Sequence, residues 1–207
     1  MESCQTVMDL IQELESSSQF ISIQLKLLPI ILITCLYAYV VYKLVKPKSL
    51  LRFFISVSFI FYLLNVFRLA LMPMPINEEY IALLKLEVSC GLVESRRHNF
   101  TFFDYMKWGN LFHYTTIGNF FMLAPLGFYL PYLYRKQKWN IVRIFNYGFG
   151  ISLSIECIQL LYSYITGYIY RGFNVDDLML NTLGMLVFYI VYVIFKLIYK
   201  VVLVLCR

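Results

Sequence analysis

Charge is scarce in this chain. Charged residues make up 14% of its 207 positions and hydrophobic ones 60%, with a mean hydropathy of +0.69. Soluble domains are nearer about a quarter charged, so no separate soluble domain fits. Histidine is scarcer still. His98 and His113 are the only two, and no His-Glu-x-x-His is present, so neither a metal site nor a cofactor is expected. No Gly-flanked Ser offers a nucleophile. The five cysteines (Cys4, Cys35, Cys90, Cys157, Cys206) lack paired spacing and read as scattered free thiols; only Cys4 and Cys90 would lie outside together, as one candidate disulfide. Cys206 is misplaced for prenylation, which needs the Cys four from the end. The start, Met1–Phe20, lacks the basic region of a signal peptide and carries Glu2, Asp9, Glu13 and Glu15 instead.

Long apolar runs are plentiful. They cover about 20–42, 50–72, 111–134, 141–165 and 178–198. Each can cross about 30 Å of hydrocarbon as a helix, and lipid requires helices here because the backbone must satisfy itself. The runs are too long and too little alternating for barrel strands. Basic residues punctuate them one-sidedly. Lys43, Lys46, Lys48 and Arg52 lie between the first two runs, Arg135, Lys136, Lys138 and Arg143 between the third and fourth, and Lys196, Lys200 and Arg207 in the tail. Positive charge stays on the cytoplasmic side. The prediction is an all-α, polytopic membrane bundle of five spans, N-terminus outside and C-terminus inside. The net charge of +6 then belongs to topology and to anionic lipid rather than to nucleic acid. Tyr37, Tyr39, Tyr42, Tyr129, Tyr132 and Tyr134 crowd the cytoplasmic ends as an aromatic belt.

Outside, residues 1–19 form an N-terminal segment in which Val7, Leu10, Ile11 and Leu14 recur at helical spacing, predicting an amphipathic helix over 5–16 on the outer surface. Lys26 snorkels at the outer end of the first span, and Pro29 predicts a kink there. The connection 73–110 opens with Pro73 and Pro75. Its stretch 77–89 reads as a helix along the membrane, and a loop this long demands some ordered element.

Polar groups in lipid are functional candidates by default. The orientation puts Arg68, His113, Asn119, Ser152, Glu156, Gln159, Arg171, Asp176, Asp177 and Asn181 in the outer half of the membrane or at its outer face. Ser152, Glu156 and Gln159, at i, i+4 and i+7, share one helix face. Asp177, Asn181 and Gly184 repeat that spacing. Asn174 reads as a helix N-cap with Asp177 at the third position, so capping alone is one account of these residues. Gly184, Gly148 and Gly150 read as close helix contacts. Glu156 is the one acid well inside a span. Either it is protonated, or it pairs with Arg68, Arg171 or His113 in a structural ion pair, or it serves a polar pocket open to the outer surface.

Three stretches resemble a known family. Gly118-Asn119-Phe120-Phe121 runs into Pro125-Leu126-Gly127-Phe128. Ser154-Ile155-Glu156-Cys157-Ile158-Gln159 follows. Arg171-Gly172-Phe173-Asn174-Val175-Asp176-Asp177-Leu178 then continues to Asn181-Thr182-Leu183-Gly184. Their order, spacing and placement resemble the VanZ-like membrane proteins, associated with resistance to the glycopeptide teicoplanin. Arg97 through Phe103 is a weaker echo, with Asn99 kept but Thr101-Phe102 replacing the usual Pro position. Position 174 is Asn where that family commonly has Asp. The resemblance covers about residues 60–195 and makes 20–207 a VanZ-like transmembrane domain. It implies a multi-pass protein of the bacterial plasma membrane that reduces sensitivity to lipoglycopeptides.

Three functions compete. The first is a non-enzymatic outward polar site that binds a cell-wall precursor, a lipid head group or the drug. The second is a membrane enzyme acting on a lipid-linked substrate, with Glu156 or an aspartate as acid or base and Asn119 and Asn181 orienting. The third is a lipid transporter or flippase. Five spans without an evident repeat argue against an inverted-repeat carrier, though not against a homo-oligomer. The expected partners are membrane lipids, with a lipid-linked wall precursor or a glycopeptide as ligand.

Overall fold

The computed structural model describes residues 2–16, 22–46, 49–93, 96–104 and 112–205. In chain order the elements are α1 (Glu2–Ser16), β1 (Ser22–Ile23), α2 (Leu27–Val40) continuing as a π-helical turn (Val41–Val45), and α3 (Leu50–Leu71). They are followed by β2 (Met74–Pro75), α4 (Glu78–Ser89), α5 (Tyr114–Leu123), α6 (Leu126–Leu133), α7 (Ile141–Thr166) and α8 (Val175–Leu205). The fold is the expected all-α bundle. Among the described residues its one sheet pairs Ser22 with Pro75 and Ile23 with Met74, antiparallel.

Four helices are long and apolar enough to cross a membrane: Leu27–Val45, Leu50–Leu71, Ile141–Thr166 and Val175–Leu205. The stretch expected as a third span, 111–134, is not one helix. It divides into α5 and α6 at Ala124 and Pro125. Proline lacks the N–H that would bond the carbonyl four residues back. Pro125 therefore serves as the N-cap of α6, its carbonyl accepting from Phe128 and Tyr129. Pro29 behaves differently from expectation. It lies in the first turn of α2, where a missing N–H interrupts no bond, so it starts the helix instead of kinking it. Residues 20, 21 and 111 of the expected spans, with Lys48 and Arg207, lie outside the described residues.

Local sequence explains the helix ends. Ser49 caps α3 by accepting from Arg52 N, Asn77 caps α4 from Tyr80 N at 2.9 Å, and Asn140 caps α7 from Arg143 N at 2.8 Å. Gly167, at φ +61°, terminates α7 in the left-handed conformation that favours glycine.

α8 is the centre of the bundle, with α5, α6 and α7 packed along it. The core joins Phe59, Leu123, Leu126, Ile144, Ile155 and Met185. Two glycines set the helix spacing. A Cβ on Gly184 would strike the Phe120 carbonyl, and one on Gly127 the Met185 carbonyl, so α5 and α6 touch α8 backbone to backbone. Gly148 likewise faces Met185 and Thr182. Gly150 meets nothing within 4 Å, which corrects its expected contact role.

α1 does not lie alone. Its buried Val7 and Ile11 pack toward α4, whose buried face is Ile81 and Leu84, and Tyr80 Oη donates to Glu15 at 2.8 Å. The two surface helices read separately from sequence thus cover each other's apolar faces. Cys90, just after α4, is disulfide-bonded, against the expectation of scattered free thiols. The side chains of Cys4 and Cys206 lie outside those described. Cys35 and Cys157 are free.

Arg52, Arg135, Lys138 and Arg143 gather at one end. Arg52 donates to the Leu133 carbonyl at 3.0 Å, and Arg143 to that of Lys138 at 2.9 Å. The buried polar side chains sit at the other end, where α3 and α7 finish and α8 begins.

Candidate functional site

The site begins with the first turn of α8. The Asn174 carbonyl accepts from Leu178 N, and its Oδ1 accepts from Asp176 N at 3.0 Å, as an N-cap should. Its Nδ2 donates to Asp177 Oδ1 at 2.8 Å. In a capping box the acid three residues on would return to the cap's own N–H. Here that N–H donates to Glu156 Oε2, 2.8 Å away on α7. Glu156 therefore completes the cap from a neighbouring helix. It makes no direct ion pair with Arg68, Arg171 or His113 among the described residues, so of the three alternatives the direct ion pair is not the one seen.

Loop 96–104 is fastened to the same turn. Asn99 N donates to the Phe173 carbonyl at 2.7 Å, and Val175 N to the Asn99 carbonyl at 3.1 Å. Asn99 Nδ2 donates to Asn174 Oδ1 at 2.9 Å, and Phe103 N to Asp176 Oδ1 at 2.6 Å. His98 Nδ1 accepts from Phe173 N at 2.9 Å, which puts the proton of a neutral ring on Nε2. Gly172 is needed for this approach, since a Cβ there would strike the Arg97 carbonyl.

The C-terminus of α3 forms the opposite wall. A helix leaves its last carbonyls without intrahelical partners. Gln159 Nε2 donates to the Ala70 carbonyl at 2.7 Å, Tyr170 Oη to that of Leu71 at 3.4 Å, and Arg171 Nη2 to that of Met72 at 3.0 Å. A guanidinium suits a helix C-terminus electrostatically as well. Burial lowers the pKa of Arg171 from its ordinary value, while the nearby Tyr170, Asp177 and Glu156 hold it up. An arginine stays charged regardless.

Between these walls lies a cavity of about 700 Å³. Six predicted residues line it: Asn119, Glu156, Gln159, Arg171, Asp176 and Asp177. Glu156 and Asp176 are almost wholly buried, at 2% and 1% exposure. Asn119 also hydrogen-bonds Asp177. The other four stand elsewhere. Ser152 and Asn181 meet each other, Asn181 Nδ2 donating to Ser152 Oγ at 2.9 Å, inside the α7–α8 contact; Asn181 Oδ1 is buried without a partner among the described residues. His113 is the exposed N-cap residue of α5 and shares a hydrogen bond with Thr115 Oγ1 at 2.8 Å. Arg68 lies in the last turn of α3 and does not line the cavity.

Among the polar cavity residues, Arg96, Arg97, Thr115 and Thr116 escaped the sequence reading as site residues, and Asn174 was read only as a cap. Arg97, paired with Asp104 at 3.1 Å, begins the weak Arg97–Phe103 echo, and the two threonines precede Gly118-Asn119. Arg96 carried no signal. Three carboxylates and three guanidiniums thus face one space, without a cluster of His, Cys, Asp or Glu among the described residues that could hold a metal.

The sequence model of the VanZ/LLP1 family matches residues 59–196. The chain belongs to the VanZ/LLP1 family. Neither a curated protein nor a solved structure matches it. The VanZ/LLP1 region runs from within α3 to within α8 and includes every cavity residue named above, while α1 and α2 precede it. This family membership and the four long apolar helices together make the chain a membrane protein.

Proposed function

We propose that this VanZ/LLP1 protein lowers sensitivity to teicoplanin and related lipoglycopeptides from the bacterial plasma membrane, by binding the polar head of an envelope amphiphile in its cavity. The observation that carries this reading is Glu156, almost fully buried yet lining a cavity where α3 ends and α8 begins. A carboxylate in such surroundings is costly unless something answers it. The cavity volume falls in the range of small-molecule sites, about 300–1,000 Å³. Sidedness supports an outward opening. The basic residues Arg52, Arg135, Lys138 and Arg143 lie at the opposite end of the bundle, which the positive-inside rule assigns to the cytoplasm. The disulfide at Cys90 supports the same orientation, because disulfides persist outside the cytosol.

The test expresses the chain and its Glu156→Gln variant in a susceptible bacterium and reads teicoplanin susceptibility beside membrane abundance. The wild type should reduce susceptibility, and an equally abundant Glu156→Gln should not. An abundant variant that protects fully would overturn the reading. A second reading, a membrane enzyme, draws on the convergence of three carboxylates, Glu156, Asp176 and Asp177, on one cavity. Turnover of a labelled lipid-linked precursor by the purified protein would favour it; retention without turnover favours binding.

A further inference from the structure

Taking the cavity to be a binding site, as proposed above, its charges also restrict what it binds. We infer that the occupant is a zwitterionic head group, a phosphate bearing a primary ammonium. The ammonium would sit at Glu156, and the phosphate toward Arg96 and Arg171.

The acidic pole is the better defined. Glu156 is 2% exposed. One of its oxygens, Oε2, accepts from Asn174 N. The other, Oε1, has no hydrogen-bond partner among the described residues and is left to the cavity that Glu156 lines. A buried carboxylate oxygen facing open space calls for a donor, and a charged donor answers it best. Asp177 lines the cavity beside it, and like charges on one wall strengthen the preference for a cation.

The basic pole is built from Arg96 and Arg171. Arg96 is exposed at the cavity and makes no hydrogen bond or ion pair among the described residues. Arg171 is half-buried and commits Nη2 to the Met72 carbonyl. A guanidinium has five N–H donors in a fork suited to phosphate oxygens, so donors remain. Thr115 and Thr116 line the same cavity.

Each simpler ligand meets repulsion. A bare phosphate would share the space with three carboxylates, and a bare amine with three guanidiniums. A molecule carrying both charges satisfies both sets of side chains. Two sources supply that chemistry at a bacterial membrane: a phospholipid with an ethanolamine head, and a polyprenyl-pyrophosphate wall precursor whose peptide carries a free amine.

The experiment titrates the purified full-length chain in detergent by calorimetry. The ligands are short-chain phosphatidylethanolamine, phosphatidylcholine and phosphatidylglycerol, and an amine-bearing lipid-linked wall precursor beside its N-acetylated form. Phosphatidylcholine keeps the positive charge without an N–H; phosphatidylglycerol keeps the phosphate without the amine. In at least one of the two series the free amine should bind more tightly by about tenfold or more, the change expected for one charge-assisted hydrogen bond. The series that shows this preference identifies the source. Glu156→Gln should erase the preference. Arg96→Gln, a change at an exposed position, should weaken every phosphate ligand alike and keep the preference, so the inference remains testable even where Glu156→Gln does not accumulate. Equal binding of amine and amine-free ligands overturns it, as does a preference that survives Glu156→Gln. Loss of teicoplanin protection in Glu156→Gln without amine selectivity sinks this inference and leaves the proposed function standing. Amine-selective binding by a chain that gives no protection does the reverse.

Discussion

In its first two turns α8 is held by hydrogen bonds exchanged with other elements, whereas a turn further on it is held by contact between backbones. At the first place Asn174, Asp176 and Asn181 are met by Glu156, Asn99, Phe103 and Ser152. At the second, Gly184 lies on the Phe120 carbonyl and Gly127 on that of Met185. The difference is one of tolerance. Directed hydrogen bonds fix groups in place while leaving lone pairs and N–H donors over, so a cavity can be lined with them. Close backbone contact leaves no such space. Along the one helix α8, the polar end is built to present groups and the glycine end to set the distance to its neighbours.

The largest effect should therefore come from filling the glycine contact. Gly184→Ala puts a methyl group where the Phe120 carbonyl already stands. Backbone cannot swing aside as a side chain can, so the cost should reach the upper part of the usual overpacking range, about 1–3 kcal/mol. Thermal unfolding in detergent should show a clear fall, with less protein in the membrane. A variant as stable as wild type would mean that α5 and α8 can separate, and the contrast between the two ends would fail.

A smaller effect is expected at the cavity wall. Gln159→Leu keeps volume but removes the donor to the Ala70 carbonyl, which stays buried. One buried acceptor left unpaired costs about 1–3 kcal/mol, here toward the lower end because the cavity adjoins it. The readouts are unfolding temperature and teicoplanin protection together. Destabilisation with protection retained would make Gln159 a clasp on the end of α3 and nothing more. Normal stability with protection lost would make it part of the ligand site.

Much of this is legible in the residues alone, and what is not has a physical pattern. Helical register correctly gave Ser152, Glu156 and Gln159 one buried face, and the chemistry of Asn174 identified the α8 cap. Neither could name partners. The three residues of that face go to three destinations: a side chain on α8, the backbone N–H of Asn174, and a carbonyl of α3. Those are settled by tertiary packing, which periodicity does not encode. Arg96 was invisible for a related reason. Its place depends on Asn99 pairing with Asn174, a contact 75 residues apart in the chain. The break at Pro125 within that expected span was not foreseen because hydropathy runs through it unchanged; only the missing proline N–H divides the helix.

The smallest effect concerns a glycine on α7 that does not fit the pattern. Gly148 and Gly150 are two residues apart on α7, and at 3.6 residues per turn they point to nearly opposite sides. Gly148 is buried against Met185 and Thr182, and a Cβ on Gly150 meets nothing. Gly150 therefore has no packing reason to be glycine within this chain, and its helix interior position should prefer alanine by about 0.5–1 kcal/mol. Gly150→Ala should leave unfolding temperature unchanged or slightly raised, while Gly148→Ala, pressed on the Met185 sulfur at 3.2 Å, should lower it or force that side chain to move. The pair makes an internal control, since both changes add the same methyl group to the same helix. If Gly150→Ala instead destabilised the protein, or changed its mass by light scattering in detergent, something outside the chain would have to cover that face. A second copy would be the first candidate, because small residues are what let membrane helices approach one another. The distinction between glycines that set spacing and glycines that stand free would then hold only for the isolated chain.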